Sequence, residues 1–456
     1  MNSARHIALK LLSIALAFLV LLGALELILP RLINLESVQR TVFGELRDRL
    51  HCEIEYRKID FTLFPSPHLV ARDVRIWRRE VFDLSLKSMT LHPELGPLLS
   101  GEIRIREILF LNPDIQLSLP PSSAESPGAD ESAGSTLDGR LAELSSLEQR
   151  MRAHFEFLRL SPITPVLSIR NGRLVLTRDG ERLLDFDHVQ VNGERRSGHL
   201  EIALGSDASF CARLSLQIVM DLNDGTCSGQ LILTGLDLEA LGSRFLGDAP
   251  IRLGPSMSSI AVDFGYHQHK GIDITFDVEL PEFTLVREDR TVRLAGARFD
   301  AELALRGQTA RLALSSLQMD SPRLQATGSA TYEGKGRDIL VEVAGTQVDA
   351  AGVREVALGL WEEDRGVHET FQVVLGGNVP RILYRARGRS LRDLKKLENT
   401  VIEGAMEEGR IFVPPADLLV EGARGEVEIA GGVLKAWNIE GRTGESSGSE
   451  GVLTLA

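Results

Sequence analysis

The sequence predicts a mainly β fold: an N-terminal transmembrane helix, then an elongated, curved antiparallel sheet forming an apolar groove, with a few short amphipathic helices. Three observations predict it. From Cys52 onward the apolar residues recur with a period of two. The runs are short and are separated by Gly, Asn and Asp turns. Regular strand–helix alternation, the mark of a parallel sheet, is absent.

The helix is predicted over Ile7 to Leu29, which is apolar apart from Lys10, Ser13 and Glu26. At about 1.5 Å per residue this run reaches roughly 34 Å, enough to cross a hydrocarbon layer of ~30 Å. Lys10 and Glu26 lie near the ends, where long side chains reach the interface. Pro30 stops the helix. Arg5 and Lys10 place the N-terminus in the cytoplasm and the bulk of the chain outside it. A cleaved signal peptide is the competing reading. The run is longer than a typical signal core, and Gly23-Ala24-Leu25-Glu26 offers no clear cleavage site. An uncleaved anchor is therefore the expectation.

The next elements follow in order. Asn34 caps a short amphipathic helix with Leu35, Val38, Val42, Leu46 and Leu50 on one stripe. Strands are expected at Ile54–Tyr56 and Ile59–Phe64, broken by Pro65-Ser66-Pro67, and at Leu69–Trp77, Phe82–Leu91, Ile103–Leu111 and Ile115–Leu119. Pro120 to Ser135 is Ser-, Pro-, Gly- and acid-rich and reads as a flexible insertion. Leu137, Leu141, Leu144, Leu147, Met151, Phe155 and Leu158 then mark an amphipathic helix that packs on a sheet edge or caps the groove, or else serves as a mobile lid or a partner-docking helix. This divides the chain into an anchor (1–30), a first β region (31–119), a linker with helix (120–160) and a repeating β region (161–456).

In that last region Ile272, Ile274, Phe276, Val278 and Leu280 alternate with Asp273, Thr275, Asp277 and Glu279. Such alternation suits a sheet with one wet face. Leu214, Leu216 and Ile218 repeat the pattern, as do Phe371, Val373 and Leu375, and the strands at Ile339–Val343 and Val427–Ile429. Short helices are expected near Leu236–Leu246 and Leu391–Met406. A one-faced sheet must bury its apolar side against a second sheet, by closing into a barrel, or against a non-protein partner such as acyl chains. Periodicity alone does not choose among the three.

Composition removes some function classes. A net charge of −13 and 5% aromatic residues argue against nucleic acid, which calls for a basic face and stacking platforms. Cys52, Cys211 and Cys227 have no zinc-ligand spacing. A hairpin turn at Asn223-Asp224-Gly225 puts Cys227 opposite a residue near Met220, about 30 Å along the strand from Cys211, so no disulfide is expected.

Sites of chemistry are scarce. His267-Gln268-His269 lacks a third ligand, and Gly334-Lys335-Gly336 lacks phosphate-loop spacing. Gly444-Glu445-Ser446-Ser447-Gly448 has the letters of a nucleophile elbow, but between strands rather than before a helix. Neither metal nor cofactor is expected. Arg72, Arg75, Arg78 and Arg79, with Trp77 among them, form a basic cluster. It is either ordinary wet-face charge or a contact for anionic headgroups.

Two stretches carry a family resemblance. The anchor and short helix are followed by Cys52-Glu53-Ile54-Glu55-Tyr56-Arg57-Lys58-Ile59, the Phe64-Pro65-Ser66-Pro67 break and Leu69-Val70-Ala71-Arg72-Asp73-Val74-Arg75-Ile76. This order resembles the opening of AsmA-like proteins of the Gram-negative envelope. Ser168-Ile169-Arg170-Asn171-Gly172-Arg173-Leu174 is similar to that family's Asn-Gly strand turn, and Gly409–Pro414 with Ala430–Leu434 to its C-terminal part. Many relatives are longer, so the chain reads as a short or truncated member. At ~4.8 Å per strand, about 16–20 strands give a groove of roughly 75–95 Å.

The resemblance implies a repeating β-groove protein, non-enzymatic, in the inner membrane through residues 7–29 with its bulk in the periplasm. Its implied role is carrying phospholipid between inner and outer membranes for outer-membrane homeostasis. Groove-lining candidates are Leu214, Leu216, Ile218, Ile272, Ile274, Phe276, Val278, Leu280, Phe371, Val373 and Leu375. The other reading is a scaffold or assembly factor that docks envelope or outer-membrane proteins on an exposed sheet edge. A hydrolase using Ser446 is the third.

Overall fold

The computed structural model describes Gly44 and residues 52–455 apart from 63–65, 80, 95–104, 120–165, 179, 197, 246–250, 269, 308, 335–337, 391–392 and 415–416. The apolar run 7–29, nearly all of the helix expected over 34–50, the linker, the helix expected over 137–158, His269 and Lys335-Gly336 lie outside the described residues. Among those described, no helix is long and apolar enough to cross a membrane. The protein is mainly β, with few short helices, and divides into two compact units.

The first unit comprises residues 1–123 and 161–209. Its strands are β1 (Glu53–Glu55), β2 (Lys58–Thr62), β3 (His68–Arg78), β4 (Phe82–Pro93), β5 (Ile105–Leu111), β6 (Asp114–Leu119), β7 (Val166–Arg178), β8 (Glu181–Arg196) and β9 (His199–Ala208). β1 and β2 share β3, β3 pairs β4, and β5 and β6 share β4; all these pairings are antiparallel. On their other side β5 and β6 pair β7 in parallel. A parallel neighbour needs a connection of a dozen or more residues, and β6 and β7 are 46 residues apart in the chain. A sealed core forms here: Ile54, Leu69, Ala71, Val74, Ile76, Leu84, Leu86, Met89 and Leu91 are all buried.

The second unit holds β10 (Cys211–Asp221), β11 (Thr226–Asp237), α1 (Leu238–Phe245), β12 (Arg252–Leu253), β13 (Met257–His267), β14 (Gly271–Arg287), β15 (Arg290–Arg306), β16 (Thr309–Asp320), β17 (Arg323–Glu333) and β18 (Asp338–Asp349). Next come α2 (Ala350–Trp361) and α3 (Arg365–Val373). β19 (Val374–Gly388), β20 (Thr400–Val413), β21 (Leu418–Ala430), β22 (Val433–Thr443) and β23 (Ser446–Leu455) complete it. Apart from the short β12, which pairs β14, each strand pairs antiparallel with the next.

Turn chemistry sets the hairpins. Between β10 and β11 the Asp221 carboxylate accepts from the amides of Asn223 (2.9 Å) and Asp224 (3.2 Å), and Gly225 takes φ +63°. The ladder puts Cys227 opposite Met220 and Cys211 opposite Leu236, at the two ends of one hairpin.

Three local expectations are corrected. Phe371 and Val373 are helical, not in a strand. Asp364 caps α3 by accepting from the Val367 amide (3.1 Å), and the Arg365–Glu369 pair adds i,i+4 support, which outweighs a five-residue alternation. Leu391–Met406 is not one helix: 3-10 turns at Asp393–Lys395 and Leu397–Asn399 lead into β20, where Ile402 pairs Tyr384. Asn171-Gly172 is no turn between strands; it lies inside β7, with Asn171 at φ +53°.

That last position is one of a set. A single non-glycine residue of positive φ also occurs within β3 (Asp73), β8 (His188), β18 (Gln347), β20 (Glu408), β22 (Asn438) and β23 (Glu450). Ladder shifts accompany most of them. Where the ladder shifts, one strand carries an extra residue, which bends it and switches the apolar parity; at Asp73 and Gln347 the register runs through unshifted. In β20 the apolar positions accordingly change from Ile402, Gly404 and Met406 to Ile411 and Val413.

Candidate functional site

Because directly opposed residues of a ladder share a face, the registers of the second unit define rows running across its strands. The central row is Leu216, Leu231, Val262, Phe276, Ala301, Leu314, Gly328, Val343, Tyr384, Ile402, Ile429, Leu434 and Leu455. It crosses from β10 to β23 with no charged residue. At ~4.8 Å per spacing its twelve steps cover about 58 Å of ladder.

Parallel rows flank it. One runs Leu214, Leu233, Ile260, Val278, Phe299, Leu317, Ala326, Gly345, Ile382, Gly404, Val427, Ala436 and Leu453. The other runs Ile218, Gly229, Phe264, Ile274, Leu303, Leu312, Ala330, Val341, Ala386 and Thr400. A fourth row at the hairpin end contains Met220, Cys227, Tyr266, Ile272 and Leu305.

The opposite face is polar. Its matching row is Gln217, Gln230, Asp263, Thr275, Glu302, Ala313, Ser329, Glu342 and Arg385. Gln230 donates to Asp263 at 2.9 Å, and Arg385 pairs Glu342 (3.1 Å) and Glu403 (3.7 Å). Arg298 pairs Glu279 and Arg306 pairs Asp273 on the same face. Asp273, Asp277 and Glu279 thus stand in a solvated charge lattice.

Burial separates the rows. At the hairpin end Leu222, Cys227, Tyr266, Ile272 and Leu305 are buried together. Burial pushes the Cys227 thiol up from its ordinary range. In the central row Ala301 is buried, whereas Leu216, Leu231, Val262, Phe276, Leu314, Val343, Tyr384, Ile402, Ile429 and Leu434 are only half-buried. The face is therefore closed along one margin and part-open through its middle.

Its surface is also smooth. A Cβ at Gly229 would collide with the Phe264 ring and the Gln217 carbonyl, and one at Gly345 would lie 2.8 Å from the Ile382 methyl. Large side chains lie down over these glycines, which therefore cannot be replaced without moving them.

Of the residues singled out in sequence, Leu214, Leu216, Ile218, Ile272, Ile274, Phe276, Val278 and Leu280 fall on this one face. Phe371 and Val373 do not join it, being in α3, and Leu375 sits at a ladder shift at the start of β19. Sequence reading missed Leu231, Leu233, Val262, Phe264, Phe299, Tyr384 and Ile402. Their alternation is as clear as that of β14, but which strands share a row depends on register, which a single chain does not display.

The arginine cluster divides. Arg72 pairs Asp60 at 3.2 Å, and Arg75 pairs Asp83 at 2.6 Å while lying over the Trp77 ring. Arg78 and Arg79 are exposed beside the β3–β4 turn and, among the described residues, form no ion pair. Ser446 opens β23 opposite Thr443, after Gly444 at φ +57°. Among the described residues no group of three His, Cys, Asp or Glu side chains is arranged to hold a metal.

No curated protein and no solved structure matches the chain. The model of the AsmA family does match, over residues 6–123, so this chain carries an AsmA family domain across roughly its first quarter.

Proposed function

We propose that the apolar face of the second unit carries the hydrocarbon of membrane lipid. On this reading the protein is a non-enzymatic, inner-membrane-anchored carrier of phospholipid through the periplasm, and it serves the outer membrane. One observation carries the proposal: the uncharged central row, from Leu216 to Leu434, stays half-buried at every position but Ala301. A sealed core would bury it as the first unit buries Val74, Leu86 and Met89, and a wet face would not be apolar. Acyl chains satisfy such a surface without asking it for polar groups. The AsmA family domain supports an envelope setting, and Ile7–Leu29 suits the anchor.

Site-directed photocrosslinking in cells tests it. A photoreactive side chain at Leu314, on the central row, is expected to capture phospholipid, and the same group at Ser329, on the polar row, is not. Equal capture at both positions, or none at Leu314, refutes the assignment.

A further inference from the structure

We infer that the β3–β4 turn is a membrane-contacting tip: Arg78 and Arg79 bond the phosphates of lipid headgroups, while Val81 and Trp77 enter the layer beneath them. The inference rests on the anchor reading of residues 7–29 given above and is independent of what the second unit carries.

The ladders of the first unit say which end of its sheet the anchor leads into. β1 comes first in the chain among the described strands, and its opening residue Glu53 stands opposite Trp77, near the end of β3. The chain therefore enters the sheet at the end that carries the β3–β4 turn. The other end of β3, at His68, is about 30 Å away along the strand.

The turn itself is firmly held. The Val81 amide donates to the Arg78 carbonyl at 3.0 Å, and the Val81 carbonyl accepts from the Ser118 amide of β6 at 2.9 Å. Phe82 then pairs Leu117 of the same strand. On this fixed support Arg78 and Arg79 are exposed, and Val81 is 41% exposed. Trp77 is half-buried on the face opposite the buried Ile76, with the Arg75 guanidinium 5.2 Å from its ring centre. Arg72 and Arg75 are neutralised by Asp60 and Asp83, which leaves Arg78 and Arg79 as the pair with donors to offer.

That set of side chains suits the headgroup layer. An indole settles at the interface, and a guanidinium forks onto a phosphate. Acids stand close by: Glu53 opens β1, and Glu80 belongs to the turn. The β7–β8 turn reaches the same end, with Leu119 opposite Arg178, and there Arg178 and Arg182 are balanced by Asp179 and Glu181. This end thus carries little net charge, so its contact is made by direct bonds and not by a field reaching into solution. The anchor supplies what such a weak contact needs, a high effective concentration at the surface.

The full chain, reconstituted in vesicles of equal parts phosphatidylcholine and phosphatidylglycerol, tests the inference. An environment-sensitive fluorophore is placed on Val81→Cys; the three native cysteines are buried and compete poorly for the label. Its emission is expected to shift to the blue, and that of the same label on Ser66→Cys, exposed just before β3, is not. Arg78→Ala with Arg79→Ala is expected to lower the ratio of docked to undocked turns about twentyfold, at about fivefold for each arginine. The shift should then vanish while the chain still floats with the vesicles and its urea unfolding is unchanged. A floating chain with no shift at 81, with an equal shift at 66, or with a shift that the double substitution leaves intact overturns the tip alone. A chain that fails to float overturns the anchor reading, and the tip with it.

Discussion

Replacing Phe276 separates an apolar surface that holds hydrocarbon from one that is merely apolar. Phe276 is the fourth of the thirteen residues of the central row, between Val262 and Ala301 across the strands. A phenyl side chain carries about 200 Å². Half-buried, it contributes on the order of 2.5 kcal/mol at ~25 cal/mol per Å². Phe276→Ala and Phe276→Asp both lose that contribution, and on a water-facing strand the two differ by only ~1 kcal/mol. Against acyl chains the carboxylate must also be desolvated, which costs about 3 kcal/mol. The aspartate variant is then expected to hold lipid roughly a hundredfold more weakly than the alanine variant. Thr275→Lys, one residue along on the polar face between Asp263 and Glu302, is the control and is expected to match wild type. Lipid retention on the purified full chain, read by mass spectrometry beside urea unfolding of each variant, makes the comparison. Equal retention by the alanine and aspartate variants refutes the reasoning, because no hydrocarbon then lies against residue 276.

Three further outcomes are expected. Gly229→Ala drives a methyl into the Phe264 ring and the Gln217 carbonyl, so urea unfolding should show a loss of about 2–3 kcal/mol. Adding Phe264→Ala should not restore it, since the carbonyl remains and the burial of the half-buried ring is itself lost. Asn171→Val places a β-branched residue at φ +53° and removes the 2.7 Å bond from Asn171 to Asn112; a loss of about 1–3 kcal/mol is expected, with Asn171→Gly clearly milder. His92 is held below its usual titration range chiefly by desolvation, with His68 and Arg106 adding to this and Glu107 opposing it. A depressed folded value means stability is full above the unfolded range of ~6.5 and declines as pH falls from there through the folded value. Hydrogen exchange of β3 and β4 at pH 7.5 and 5.5 should register that decline, and His92→Gln should flatten it.

Much of this architecture was legible residue by residue, for a physical reason: a face is a period-two property of one strand. Ile272 to Leu280 declare their side without reference to any partner. What one strand cannot declare is register, so the alignment of Leu216 with Phe276 and Tyr384 emerged only from the ladders. Helix α3 was hidden because Phe371, Val373 and Leu375 alternate over too few residues to outweigh a cap at Asp364. The bulges were hidden for the opposite reason. His188 has no glycine beside it, and the shift it makes shows only in the ladder between β8 and β9. Asn171-Gly172 did carry the signal, but a left-handed residue serves a bulge as readily as a turn.

The row arrangement bears on how such a protein changes length. Apart from the short β12, each strand of the second unit donates a single residue to the central row, so a pair of neighbouring strands donates two. Deleting β16 and β17 together would bring β15 beside β18 still antiparallel, and Ala301 could take Val343 as its neighbour in place of Leu314 and Gly328. The path would shorten by about 10 Å without any surviving side chain changing sides. Removing a single strand would instead leave its neighbours running the same way, joined by too short a link. Duplication and loss in pairs is thus the mutational step this sheet tolerates, so its reach can evolve by hairpins while its chemistry stays fixed.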